Sequence, residues 1–110
     1  MHLLSVQGEF KRALREAVDE GLLALGEGVR QVIYYHIERS RQVEPEQIPD
    51  KIESFHEALR GMFGSGAIHL ERIIARDLYN RLGLNFTEYE NWTLVNYGNH
   101  AKKISELRVG

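Results

Sequence analysis

Residues 65–83, SGAIHLERIIARDLYNRLG, constrain the fold of this chain more than any other segment does. Their apolar side chains recur at spacings of three and four, which is typical of a helix with one apolar stripe. The stripe consists of Ala67, Leu70, Ile73, Ile74, Leu78 and Leu82. Ile68 and Tyr79 lie outside it, so the apolar arc is wider than a surface helix needs. We therefore predict a central helix that neighbours contact on more than one side, with Ser65 as its N-cap and Gly83 at its end.

Two helices are predicted ahead of the proline-containing segment. The first begins at Glu9 and has an apolar residue every three or four positions, at Phe10, Leu14, Val18, Leu22 and Leu25. Gly26 and Gly28 interrupt this pattern, either as a tight turn between antiparallel helices or as a kink in one long helix. The second helix carries on one face Val29, Val32, Ile33, His36 and Ile37. His36 is therefore expected to face the core, where its imidazole needs a hydrogen-bond partner such as a tyrosine hydroxyl.

A connector and a third helix follow. Residues 43–50 contain both prolines of the chain and are predicted to form a surface connector. Asp50 is a candidate N-cap for the third helix, which ends at Gly64. The apolar stripe of this helix consists of Ile52, Phe55, Leu59 and Met62. Residues 64–66 then form a short hinge into the central helix.

Two interpretations stay open for the chain after Gly83. Residues 84–96 show some alternation of β-forming residues, which is consistent with a small hairpin that turns at Glu90 and Asn91. The other interpretation keeps the first part extended and begins a helix after Thr93 as N-cap. That helix would carry, at spacings of three and four, Leu94, Tyr97, Ala101, Ile104 and Leu107. The regular spacing favours the helix.

Together these elements predict an all-α fold, a single compact bundle of about five helices in residues 8–110. Ile73, Ile74 and Leu78 are expected inside it, and a short hairpin or extended segment near residues 84–96 is the one departure. Residues 1–7 are apolar without helical spacing and are predicted to be flexible or extended. The chain has 110 residues, 43% of them apolar and 27% charged, which is the composition of one globular domain.

Composition also narrows the classes of function. The chain has no cysteine, which excludes disulfides, thiolate zinc sites and cysteine nucleophiles. The net charge of −2 gives no global attraction to nucleic acid or to anionic membranes. No apolar run approaches the roughly 20 residues that span a bilayer, and the first residues lack the pattern of a secretory leader. A cytoplasmic location is the expectation.

Metal and catalytic motifs are incomplete. Glu53 and His56 have the Glu-x-x-His spacing of carboxylate-bridged di-metal bundles, but no second copy of the motif is present. No serine lies in a nucleophile elbow, and no glycine-rich segment has the lysine of a phosphate loop. We therefore predict no enzyme activity, no cofactor and no metal site. A metal-binding or small-ligand protein that uses His36, Glu53 or His56 stays as the weakest alternative.

DNA binding is the stronger alternative. Basic residues occur on the central helix and near the end of the chain, at Arg72, Arg76, Arg81, Lys102, Lys103 and Arg108. With a C-terminal hairpin, the helical module would be similar to a winged helix, a type of transcriptional regulator. Glu71 and Asp77 offset the basic residues of the central helix, so that no face is purely basic.

Tyrosine and tryptophan side chains are numerous for a chain of this length, and both residue types are enriched at protein interfaces. They are Tyr34, Tyr35, Tyr79, Tyr89, Trp92 and Tyr97. The candidate interaction or pocket residues are Tyr34, Tyr35, His36, Trp92 and Tyr97. We predict a non-enzymatic protein-interaction module that binds another protein or, more specifically, forms a homodimer.

Two blocks of sequence resemble a known family. They are residues 21–38, GLLALGEGVRQVIYYHIE, and residues 55–84, FHEALRGMFGSGAIHLERIIARDLYNRLGL, followed by the Thr-Leu-Val-x-Tyr of residues 93–97. The family comprises small, functionally uncharacterised archaeal helical domains, which stand alone or are appended to sensory proteins as output domains of Nitrosopumilus type. The resemblance spans roughly residues 10–103. It implies a signalling-output or interaction role in an archaeal cytoplasm and supplies no catalytic residues.

Overall fold

Five α-helices make up most of the computed structural model, which describes the backbone of residues 2–108 and the side chains of residues 7–108. In chain order they are α1 (His2–Leu23), α2 (Glu27–Arg41), α3 (Ile52–Phe63), α4 (Ala67–Arg81) and α5 (Leu94–Leu107). Two short 3-10 helices, Pro45–Asp50 and Gly64–Gly66, lead into α3 and α4. No β-strand occurs between residues 2 and 108, so the predicted all-α bundle is confirmed.

Helix α1 begins earlier than the apolar pattern predicted. Residues 2–7, which were expected to be flexible or extended, belong to α1 instead. This stretch contains neither proline nor glycine, and the leucines at positions 3 and 4 favour a helix, so nothing in it stops α1 from extending. Met1 lies outside the described residues.

A tight turn, and not a kink, separates α1 from α2. Gly26 has a φ of 119°, a conformation that glycine adopts without steric cost. The amide of Leu25 donates to the carbonyl of Leu22, and the amide of Gly26 donates to the carbonyl of Leu23. These bonds end α1 and reverse the chain, so the turn interpretation of the glycine pair is correct.

The connector between α2 and α3 is only partly on the surface. Glu44 and Gln47 form a reciprocal capping box that starts the 3-10 helix, while the side chains of Val43 and Ile48 are buried in the core. Because that 3-10 helix runs nearly into α3, Asp50 does not cap α3 as predicted. Its carboxylate instead lies 2.9 Å from the ammonium group of Lys11 on α1.

Helix α4 packs against α1, α3 and α5 and is central, as predicted. Ile74 and Leu78 are fully buried, but Ile73 is 54% exposed, so the prediction that it is buried is wrong. The buried arc of α4 runs round the opposite side, through Ala75 and Tyr79, and leaves Ile73 beside an open groove.

The end of α4 is as predicted, but its start is not. Ser65 lies in a 3-10 helix and does not cap α4, which begins at Ala67. Gly83 takes the expected left-handed conformation, with a φ of 70°. Its amide donates to Asn80, and the amide of Leu84 donates to the carbonyl of Tyr79, which closes the helix.

The segment that joins α4 to α5 contains no strand. The helix interpretation of the C-terminal region is correct, because α5 begins immediately after Thr93. The Thr93 hydroxyl accepts from the amide of Asn96, and the Asn96 side chain accepts from the amide of Thr93 in return.

A close approach between α1 and α4 explains why residue 21 is a glycine. A methyl group added at Gly21 would lie 2.7 Å from Cγ1 of Ile74, whereas one added at Gly8, on the same helix, would meet nothing within 4 Å. We expect Gly21→Ala to lower the free energy of unfolding by about 1–2 kcal/mol, because overpacking outweighs the helix propensity that alanine adds. Gly8→Ala should instead raise it by up to about 1 kcal/mol. Urea unfolding followed by circular dichroism measures both, and equal effects of the two changes would contradict the close approach.

Candidate functional site

The outward face of α2 carries apolar side chains that the fold does not cover. Val29 is 42% exposed, Val32 is 65% exposed and Tyr35 is 62% exposed. Gly28 and His36 are exposed on the same side of the helix. These five residues, Gly28, Val29, Val32, Tyr35 and His36, are named the α2 stripe here. Four of the eight large exposed hydrophobic side chains among the described residues occur between Leu25 and Tyr35, which concentrates apolar surface at this place.

His36 lies on the surface, so the prediction that it faces the core is wrong. The buried residues of α2 are Ile33 and Ile37, and α1 and α3 cover only that part of the apolar arc. The apolar arc of α2 is wider than the part that α1 and α3 cover. The uncovered part of the arc, which includes His36, faces solvent.

Polar contacts with α1 fix the rotation of α2. The Arg30 guanidinium donates to both oxygens of Asp19, at 2.9 and 3.0 Å, and the Tyr34 hydroxyl donates to the same carboxylate at 3.0 Å. Burial, followed by the hydrogen bond to Asp19, raises the pKa of Tyr34 well above its usual value. Because Arg30 and Tyr34 both point toward α1, the α2 stripe is held on the outside.

Charged groups lie at the two ends of α2. Glu27 is in the first turn and accepts from Arg30 at 2.5 Å, while Arg39 and Arg41 are in the last turn. The Arg39 guanidinium lies over the Tyr35 ring at 5.6 Å, and Arg41 forms an ion pair with Glu57 of α3 at 2.8 Å. The helix is therefore acidic at its start and basic at its end, which complements its own dipole.

Trp92 and Tyr97 belong to a separate aromatic cluster. Tyr97 is buried, and its hydroxyl accepts from the amide of Tyr89 at 2.9 Å. The Trp92 ring lies 4.4 Å from the Tyr89 ring and 5.1 Å from the Tyr97 ring. No ring contact or hydrogen bond in the described part of the chain joins this cluster to Tyr34, Tyr35 or His36, so the structure does not bring the five predicted interaction residues together.

Tyr79 anchors this cluster to α4 and predicts a pH dependence. Its hydroxyl donates to the carbonyl of Tyr97 at 2.9 Å and lies 3.0 Å from Nδ1 of His100. Burial raises the pKa of Tyr79 to about 12, against about 10 in an unfolded chain. Ionisation of the unfolded chain therefore begins first, so the stability that this proton provides is complete below pH 10 and is lost as the pH rises toward 12.

Urea unfolding at pH 8, 10 and 11.5 checks this dependence. The unmodified chain should lose stability between pH 10 and 11.5, and Tyr79→Phe, which keeps the ring but cannot ionise, should lose less over the same interval. Absorbance at 295 nm reports phenolate directly. If all five tyrosines of the chain ionise near pH 10 in the folded protein, the account of Tyr79 is wrong.

A buried carboxylate joins three helices. Glu71 on α4 is 1% exposed and is the one charged residue buried among those described. One of its oxygens lies 2.6 Å from Nδ1 of His56 on α3, and the other accepts from the amide of Leu94 at 2.8 Å, at the start of α5. The carboxylate thus satisfies a free amide of a helix N-terminus and completes its hydrogen bonds with an imidazole.

His56 and Glu71 border a small cavity of about 120 Å³, together with Arg60, Ile68, Asn91 and Thr93. The Glu-x-x-His spacing does not bring Glu53 and His56 into one site, because His56 contacts Glu71 while Glu53 is exposed. In residues 7–108, no three histidine, aspartate or glutamate side chains come close enough to hold a metal ion. The sequence analysis does not predict the burial of Glu71, because a glutamate beside the arginines of α4 is typical of a solvent-exposed ion pair.

The arginines of α4 are paired. Arg72 Nε lies 3.0 Å from a carboxylate oxygen of Glu88, an ion pair without the alignment of a hydrogen bond, and Arg76 reaches the other oxygen at 3.4 Å. Arg81 contacts Glu16 and Asp77, each at 2.8 Å. The hairpin that a winged helix requires does not form in residues 84–93.

Comparison of the chain with models of known protein families, with curated protein sequences and with solved structures finds no match in any of the three. The resemblance to archaeal output domains therefore stays a prediction from the sequence. Among the described helices, none is both long and apolar enough to cross a membrane.

Proposed function

We propose that this chain is a protein-interaction module that pairs with a second copy of itself through the α2 stripe. The observation that supports the proposal is the exposed apolar surface of Val29, Val32 and Tyr35 on a helix whose other side is fixed. A monomer would leave this surface in water, whereas a helix from a second copy would bury it. The resemblance to output domains supports a signalling role, in which pairing passes a state from one partner to another, and a setting in the archaeal cytoplasm.

The order of residues in the α2 stripe favours antiparallel pairing. Val32 lies midway along the stripe, because Gly28 and His36 are each four residues away and Val29 and Tyr35 are each three. It also lies at the middle of the width of the stripe, because these neighbours fall in equal numbers to either side of it round the helix. When two copies of α2 pack antiparallel about a two-fold axis at Val32, Gly28 of one copy faces Tyr35 of the other. Val29 then faces His36, and the two copies of Val32 meet each other.

Side-chain size is complementary in this arrangement. Space around Gly28 is open, because a methyl group added there would meet no atom within 4 Å. Tyr35 is the largest ring of the stripe, so the glycine of one helix leaves room for the ring of the other. A large side chain over a small one lets two helices approach to the usual 8–10 Å. A parallel arrangement would place glycine on glycine and ring on ring.

The helix dipoles favour the same orientation. Antiparallel packing brings the positive start of one helix beside the negative end of the other, so the two dipoles oppose one another. Glu27 and Arg41 lie on the far side of α2, where they contact Arg30 and Glu57, and take no part in the pairing. A parallel pair would instead align the two dipoles.

Light scattering and sedimentation equilibrium test the proposal. Two packed helices form a small interface, so the concentration range should extend to about 300 µM. We expect the mass to approach twice the 12.7 kDa of the chain as the concentration rises. A mass that stays at that of one chain throughout the range would refute self-association.

A further inference from the structure

We infer that the groove beside Ile73 is a binding site for a small organic cation with a flat apolar body, such as an aryl-alkylamine. The groove has a volume of about 580 Å³, which falls in the range of small-molecule sites. It includes no residue of the α2 stripe. The inference therefore does not depend on self-association.

The shape of the groove follows from three elements. Its floor is one side of α4 from Ile73 to Asn80, a length of about 10 Å. Gly21 on α1 and Ala24, which follows the last residue of α1, form one wall, and residues 84–86 form the other. The small side chains of the first wall keep the groove open. This is why Ile73, alone in the apolar stripe of α4, remains more than half exposed.

The lining is apolar with polar groups among it. Ala24, Ile73, Leu84 and Phe86 provide a surface for a flat ring or a short alkyl chain, and Asn80 and Asn85 add carboxamides that can donate or accept hydrogen bonds. A mainly apolar lining with a few polar groups is the usual composition of a ligand site. The ligand is therefore expected to have an apolar body.

The charge of the lining selects a cation. Of its three charged residues, Arg76 shares Glu88 with Arg72 and lies 5.4 Å from the Phe86 ring centre, and Asp77 shares Arg81 with Glu16. Glu20 forms no ion pair with any residue in the described part of the chain. Counted together, the lining and its partners have four carboxylates and three guanidinium groups. The excess of one carboxylate makes an ammonium group the natural partner.

Titrations followed by two-dimensional amide NMR test the inference with two matched probes. Tryptamine carries an ammonium group on an indole ring, and indole-3-propionate carries a carboxylate on the same ring. We expect tryptamine to shift the amide signals of residues 20–24, 73–80 and 84–86 in a saturable way. Its dissociation constant should be at or below about 1 mM, and indole-3-propionate should bind at least tenfold more weakly.

Two variants locate the determinants. Glu20→Gln should weaken tryptamine binding about tenfold and remove most of the preference over indole-3-propionate. Glu9→Gln takes the same charge from an exposed position on α1, about three turns away, and should change neither affinity. Ile73→Ala, at a position too exposed to carry the fold, should weaken both probes. No saturable shift, equal affinity for the two probes, or an unchanged preference in Glu20→Gln would overturn the inference.

Discussion

Val32→Glu is expected to raise the dissociation constant of the homodimer at least 100-fold. In the proposed pairing the two copies of residue 32 meet at the two-fold axis, so the change would bury two like charges without partners. A 100-fold loss corresponds to about 3 kcal/mol, a modest figure for desolvating a charge at an interface. The fold itself should be unaffected, because Val32 is 65% exposed in the single chain. Sedimentation velocity measures the association, and circular dichroism measures the fold.

Gln31→Glu is the matched control for this change. It adds the same charge at the preceding position of α2, on a side chain that is also exposed but lies about 100° away round the helix. We expect its dissociation constant to stay within about threefold of the value for the unmodified chain. If both glutamates weaken association equally, net charge and not the α2 stripe governs pairing.

Glu71→Ala is expected to lower the free energy of unfolding by about 3–5 kcal/mol, because it removes a buried side chain and the hydrogen bonds that join it to α3 and α5. The change would leave the buried amide of Leu94 and Nδ1 of the partly buried His56 without their acceptor. It would also open a space among α3, α4 and α5. For a domain whose total stability is about 5–15 kcal/mol, this loss is severe. Urea unfolding followed by circular dichroism measures it.

Two other substitutions separate the causes of that loss. Glu71→Gln keeps the volume and one acceptor, so it should cost less than half as much. Glu53→Ala removes a carboxylate from an exposed position on α3 and should change stability by no more than about 0.5 kcal/mol. A cost for Glu71→Ala as small as that for Glu53→Ala would show that the buried carboxylate does not hold the three helices together.

Helical periodicity was sufficient to predict the architecture. The spacing of apolar residues located the helices, and Thr93 and Gly83 set two of their ends through local hydrogen bonds and a left-handed backbone. Periodicity identifies an apolar arc but not how much of it the neighbours cover. Ile73 and His36 both lie on such arcs, so the pattern predicts both in the core, although the structure exposes them.

The buried carboxylate could not be found by the same reasoning. Glu71 precedes an arginine on a helix with several charges, so its residue type and its neighbours both indicated a solvated position. Its burial depends on two groups far away in sequence, the imidazole of His56 and the amide of Leu94. Only tertiary packing brings these groups together, and no local signal marks them.

Disulfide cross-linking at position 32 tests the α2 pairing most directly, because the chain has no cysteine of its own. A disulfide requires Cα atoms within about 7 Å, and in antiparallel pairing only residues at the two-fold axis approach their own copies so closely. Tyr35→Cys is the control, since residue 35 is exposed to the same degree but lies about 9 Å from its own copy along the helix. We predict that Val32→Cys forms a covalent dimer under mild oxidation while Tyr35→Cys does not. Equal cross-linking of the two variants, or none of either, would contradict the α2 pairing.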